Sequence, residues 1–82
     1  MKFSTSKLIQ FLSRHFYINP RLIAPQKRFY ADLGMNSLEF LELIVHLENT
    51  YGIVLPDNEV DKIQTIKQLS EVMEANLVRV EA

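Results

Sequence analysis

The chain has 82 residues and no cysteine, with 2 glycines and 3 prolines. This length fits one domain spanning residues 1–82 and excludes an enzyme with separate cofactor and substrate domains. The lack of cysteine excludes disulfides, a zinc–cysteine site and a cysteine nucleophile. Hydrophobic residues make up 48% of the sequence, which is enough for a core, and the low glycine and proline content favours helices.

The net charge of −1 conceals a strong asymmetry along the chain. Residues 1–31 contain six Lys and Arg and no acid, whereas residues 32–82 contain three bases and ten acids. The acidic half should attract basic partners and repel nucleic acid, so we expect no nucleic-acid binding. The basic half is a weaker indication of contact with a membrane surface, nucleic acid or an acidic partner, because scattered bases usually form a solvated face.

Signals for membranes and targeting are weak. No apolar run reaches the roughly 18 residues that a transmembrane helix needs, so stable membrane insertion is not expected. The basic start of the chain loosely matches a transit peptide, but its regular apolar pattern favours a helix of the domain itself. A chain without cysteine fits a cytoplasmic location.

The first helix is predicted from about Ser4 to Tyr17, with Ser4 or Thr5 as its cap. Its apolar face comprises Leu8, Ile9, Phe11, Leu12 and Phe16. His15 falls within this face and is expected to be a packed or boundary residue rather than a ligand. A long ordered loop should follow from Ile18 to Gly34, attached to the core by Leu22, Ile23, Phe29, Tyr30 and Leu33. Such a long loop in a small domain suggests a function.

The second helix is predicted from Asn36 to about Tyr51, where Asn36 and Glu39 form a capping-box pair. One apolar stripe comprises Phe40, Leu43, Ile44, Leu47 and Tyr51, and a second on nearly the opposite side comprises Leu38, Leu41 and Val45. The second stripe is either buried in the middle of a bundle or exposed as a binding surface edged by carboxylates. Periodicity alone does not choose between these alternatives.

The rest of the chain predicts one short helix and one long one. Gly52 ends the second helix, and Asp57 caps a short helix to about Lys62. Thr65 and Gln68 form a second capping box at the start of the last helix, whose inner face is Ile66, Leu69, Met73 and Leu77. We therefore expect an all-α fold of three main helices and one short helix, with no strand.

No catalytic or metal site is predicted. Glu39 and Glu42 are interpreted as a solvated pair, and the two histidines lack a metal-ligand spacing. Ser37 is nevertheless notable as the first residue of a helix, where free backbone N–H groups and the helix dipole would stabilise a phosphate ester. On position alone, Ser37 as an ordinary helix-start residue is the better interpretation.

Residues 32–39, DLGMNSLE, resemble the acyl carrier protein signature D-L-G-x-D-S-L-[DE]. Phe29 matches the aromatic residue before that signature, residues 53–57 (IVLPD) resemble the family's I-P-D connector, and residues 62–66 (KIQTI) resemble the start of its last helix. The resemblance covers residues 3–77. Asn36 departs from the pattern, which has Asp before the serine, and this puts loading by a generic transferase in doubt.

The resemblance implies a small up-down four-helix bundle with a long first loop, in which the chain is a carrier and not an enzyme. Ser37 would bear a covalent 4′-phosphopantetheine arm, added by a phosphopantetheinyl transferase, whose thiol holds acyl groups as thioesters. A monomer would then present them to synthase enzymes of fatty acid or related biosynthesis. The partner-recognition face would comprise Leu38, Glu39, Leu41, Glu42, Val45 and Glu48, and the buried stripe would line a cavity for an acyl chain. The alternative is a structural adaptor that docks through the second helix without cargo.

Overall fold

The computed structural model describes the backbone of residues 3–81 and the side chains of residues 3–78. The elements are α1 (Thr5–Phe16), a 3₁₀ turn (Pro20–Leu22), α2 (Ser37–Tyr51), α3 (Asp57–Val60) and α4 (Ile66–Glu81). Within the described backbone the only strand-type pairing is an isolated bridge between Arg28 and Thr65. The predicted all-α fold of three main helices and one short helix is confirmed.

Helix boundaries follow the capping chemistry of the sequence. The Ser4 side chain accepts a hydrogen bond from the Lys7 N–H, which satisfies a free donor at the start of α1. At the start of α4, Thr65 and Gln68 exchange backbone-to-side-chain hydrogen bonds of 3.0 and 3.2 Å, so the predicted capping box is present. Asp57 was expected to cap α3 but is its first helical residue, because Pro56 occupies the cap position.

Contacts between aromatic rings fix the direction of α1 against α2. Phe3 meets Tyr51 with ring centroids 5.3 Å apart, and at the other end of the pair His15 meets His46 at 5.6 Å. Since Phe3, just before α1, contacts the last residue of α2 and His15, near the end of α1, contacts the earlier residue His46, the two helices are antiparallel.

The core contains one stripe from each long helix. Leu8 and Leu12 of α1 are buried, and α2 buries Phe40, Leu43, Ile44 and Leu47. The predicted inner face of α4, Ile66, Leu69, Met73 and Leu77, is buried as well. Because these stripes recur every three or four residues, each helix buries one face against the others. No helix of the described chain combines the length and apolarity that crossing a bilayer requires.

The long loop is held at fewer points than the sequence predicted. Ile23 and Phe29 are buried, and the Phe29 N–H donates to the Gln64 carbonyl at 3.0 Å. Leu33 packs against the core, and Tyr30 is 47% exposed but its ring meets that of Phe40 at 5.8 Å. The prediction that Leu22 attaches the loop is wrong, because its side chain is exposed. Leu22 faces outward, whereas its neighbour Ile23 is buried.

Candidate functional site

The start of α2 is built by a reciprocal capping box. The Asn36 side chain accepts from the Glu39 N–H at 2.8 Å, and the Glu39 carboxylate accepts from the Asn36 N–H at 3.0 Å. Just before this cap, Gly34 turns the chain with φ 71°, a left-handed conformation that favours glycine. The signature residues therefore fix both the bend of the chain at Gly34 and the first helical turn of α2.

Ser37 is the first residue of α2, and its side chain is exposed. The Glu39 N–H is bound by the cap, whereas the N–H groups of Ser37 and Leu38 have no hydrogen-bond partner in the described chain. Two free donors and the positive end of a 15-residue helix thus adjoin an accessible hydroxyl. This arrangement suits a phosphodiester on the serine oxygen.

A cleft of about 200 Å³ opens beside Ser37. It lies between α2, α3 and the loop, and it is lined by Tyr30, Ser37, Phe40, Leu41, Val60, Asp61 and Ile63. Most of its lining is apolar, so it offers shelter to a hydrocarbon segment attached nearby. Tyr30, Val60 and Asp61 were not among the predicted site residues. Their signal in the sequence is slight, because only the fold brings α3 and the loop to Ser37.

The second apolar stripe of α2 is exposed. Leu38, Leu41 and Val45 are 64%, 54% and 53% accessible, which decides between the two alternatives that the periodicity left open. Together with Glu42 and His46 they line a shallow groove of about 290 Å³. Three large apolar side chains standing out on one helix face are typical of an interaction site.

The three acidic residues of α2 differ in the hydrogen bonds that they accept within the fold. Glu39 is bound in the capping box, and the Glu48 carboxylate accepts a hydrogen bond from the Leu55 N–H at 2.7 Å. Glu42 is exposed and has no hydrogen bond in the described chain. Of the three predicted acidic partner residues, Glu42 is the one whose charge is not used within the fold.

Two histidines meet at the α1–α2 contact. The rings of His15 and His46 stack with centroids 5.6 Å apart, and Phe11 packs against His15 at 4.3 Å. His15 was expected to be a packed or boundary residue, and its ring does pack against Phe11 and His46 while the residue as a whole stays exposed. Among the described residues there is no group of three or more His, Asp or Glu side chains that would hold a metal ion.

Comparison with known proteins gives consistent matches. Residues 6–73 match the family model described as the phosphopantetheine attachment site. The chain is 41% identical over 54 residues to the acyl carrier protein of Helicobacter hepaticus, covering 66% of this chain and 71% of that protein. It is 31% identical over 71 residues to the acyl carrier protein of Lactobacillus johnsonii, covering 87% and 89%. The chain belongs to the acyl carrier protein family.

A third relative is longer than this family member. Acyl carrier protein 2, mitochondrial, of Arabidopsis thaliana is 36% identical over 62 residues, which cover 76% of this chain and 49% of that protein. The chain thus spans about half the length of this relative.

The cofactor of this acyl carrier protein family member is covalent 4′-phosphopantetheine. The residues present fit such a group, because an exposed alcohol, two free N–H donors and an apolar cleft lie together at the start of α2. When attached, the group supplies the thiol that a chain with 0 Cys lacks. Members of the family are carriers that meet acyl-handling enzymes and a transferase; they do not catalyse the acyl chemistry themselves.

Proposed function

We propose that the chain carries acyl groups as thioesters on a 4′-phosphopantetheine arm attached to Ser37, and that α2 presents them to partner enzymes. The observation that carries this proposal is the exposed Ser37 hydroxyl at the start of α2 beside an apolar cleft. The chain's own part is to hold the attachment oxygen outward, to stabilise the phosphodiester charge with the helix start, and to shelter apolar cargo.

The partner face is the second part of the proposal. It comprises Leu38, Glu39, Leu41, Glu42, Val45 and Glu48, on and around the exposed stripe of α2. Apolar contacts by Leu41 and Val45 would supply most of the binding energy, while Glu42 attracts basic surfaces. The first partner is the phosphopantetheinyl transferase, and the others are enzymes that transfer or modify acyl groups. Since Ser37 begins the same helix, docking on this face brings the arm to the partner.

The proposal also covers the biosynthetic pathway and the cellular compartment of the chain. Fatty acid or related biosynthesis is the role typical of acyl carrier proteins, and we assign this chain to it as a monomer. A cytoplasmic location is consistent with 0 Cys, while the Arabidopsis relative is named as mitochondrial. Fractionation with an antibody to the native chain, followed by weighing of the trapped thioester, tests both points.

The direct test is intact-mass analysis after incubation with a phosphopantetheinyl transferase and coenzyme A. The wild type should gain the mass of one phosphopantetheine, and Ser37→Ala should gain nothing while keeping the helical circular dichroism spectrum. Ser6→Ala is the matched control, because it removes another exposed serine hydroxyl, from α1.

The adaptor alternative makes the opposite prediction. An adaptor would remain unmodified in its native cell and with the transferase, yet still bind a partner through α2. Loading of Ser37→Ala would show that the attachment residue is a different one.

A further inference from the structure

One feature of the chain is not used by the carrier function, namely its basic first part. The attachment residue and the partner face both lie on α2, in the acidic half. Residues 1–31 carry six Lys and Arg and no acid. Two of these bases, Arg14 and Arg21, lie at the far end of α1 and in the 3₁₀ turn, and both are exposed. Neither has an ion pair within the described part of the chain.

Two large apolar side chains stand out between and beside these bases. Tyr17 is 92% exposed, and Leu22 is 61% exposed. We define Arg14, Tyr17, Arg21 and Leu22 as the α1 corner. Within nine residues it combines two uncompensated cations with two exposed apolar groups, and the nearest acid along the chain is Asp32.

The α1 corner is an ordered structure. Tyr17 ends α1 in the left-handed conformation with φ 57°, and this conformation turns the chain sharply. It is unfavourable for a residue other than glycine. The Asn19 side chain then accepts from the Arg21 N–H at 3.0 Å, and the Asn19 carbonyl accepts from the Leu22 N–H at 2.9 Å. Ile23 follows in the core. Leu22 is therefore held outward by a turn that is fixed on both sides.

We propose that the α1 corner docks on an anionic lipid surface. Tyrosine favours the headgroup level of a bilayer and leucine its acyl boundary, while arginine is attracted to anionic headgroups. A nucleic acid fits less well, because its phosphate backbone offers no apolar phase for the exposed Tyr17 and Leu22 side chains. Association is peripheral and reversible, since only two apolar side chains enter the interface.

The α1 corner is separate from the attachment residue. The end of α1 contacts α2 at His46, nine residues after Ser37. Docking itself needs no arm on Ser37, so it is testable on the unmodified chain, and its outcome is separate from that of the loading experiment.

The test is vesicle flotation of the full-length protein. Vesicles of phosphatidylcholine with phosphatidylglycerol should bind the chain at low salt, and pure phosphatidylcholine vesicles should bind it far less. Each base near an anionic surface contributes about fivefold to the binding constant. The double variant Arg14→Gln/Arg21→Gln should therefore lower that constant about 25-fold. Tyr17→Ser/Leu22→Ser should also lower binding but leave its salt dependence unchanged, because no charge is removed.

Two matched controls remove similar groups from elsewhere. Lys62→Gln/Lys67→Gln deletes two exposed bases outside the corner, and Val54→Ser deletes an apolar side chain that is 81% exposed. Both should bind vesicles nearly as the wild type does. The proposal is wrong if anionic vesicles do not bind the chain, or if the controls lose as much binding as the corner variants. Tighter binding to polyglutamate than to the vesicles would assign the corner to an acidic protein instead.

Discussion

The Glu48 carboxylate accepts the backbone N–H of Leu55 at 2.7 Å, and Leu55 is only 2% exposed. This hydrogen bond ties the end of α2 to the connector that leads to α3. The acid at 48 therefore has a structural contact that the acid at 42 lacks.

Glu48→Lys should destabilise the fold, whereas Glu42→Lys should not. Losing the acceptor leaves a buried N–H without a partner, which costs about 1–3 kcal/mol in the free energy of unfolding. Glu42 is exposed, so its reversal should change that free energy by less than about 0.5 kcal/mol. Urea denaturation of both variants measures the difference. Equal stability of the two would show that the bond to Leu55 contributes nothing.

Asn36→Asp should speed loading by a phosphopantetheinyl transferase, by up to about tenfold, because it restores the charge of the family signature beside Ser37. Asp caps a helix as well as Asn, so the melting temperature should not change. A time course of intact mass measures the rate. Asn49→Asp, which adds the same charge at another exposed position of α2, is the control. Identical rates for wild type and Asn36→Asp would make Asn36 a neutral variant.

Leu41→Ala should weaken binding to the transferase by about 1 kcal/mol or more, mainly through faster dissociation. Its side chain is exposed in the α2 groove, so the loss is one of apolar contact and should be nearly independent of salt. Glu42→Lys should instead slow association, and this effect should shrink as ionic strength rises. Binding kinetics at low and high salt separate the two effects. Val54→Ala is the control outside the face, and a similar loss there would argue against the α2 surface.

The Asp32 carboxylate should also contribute to stability, and this contribution should be lost at low pH. The Arg28 backbone N–H at 2.7 Å, and then its guanidinium at 3.2 Å, lower the pKa of this carboxyl below its ordinary value of 3.8. A lowered pKa in the folded state gives stability that is fully present above 3.8 and lost as the pH falls through the folded-state value. Asp32→Asn should thus be less stable than the wild type near neutral pH, and the gap should close in acid.

Urea denaturation at a series of pH values measures that gap. Asp57→Asn is the control, because the Asp57 carboxylate accepts no hydrogen bond in the described chain. A gap for Asp32→Asn that stays constant below pH 3.8 would contradict the role of Arg28.

The sequence by itself determined the three long helices and the caps at their starts. Asn36 with Glu39, and Thr65 with Gln68, specify helix starts through hydrogen bonds that span three residues. The order of elements and the signature around Ser37 are likewise local patterns. These local patterns were sufficient to predict the all-α fold, the acyl carrier protein family and its cofactor.

Only the tertiary structure decided which apolar side chains are exposed and which charged side chains have no partner within the fold. Leu38, Leu41 and Val45 have the same periodicity whether α2 is covered on one side or two, so their exposure depends on where α1 and α4 pack. Leu22 is about as apolar as its buried neighbour Ile23, and only the fold determines which of the two is exposed. The bond from Leu55 to Glu48 joins residues seven apart across a helix end. Such contacts depend on how the elements pack against one another, so a local sequence pattern does not predict them.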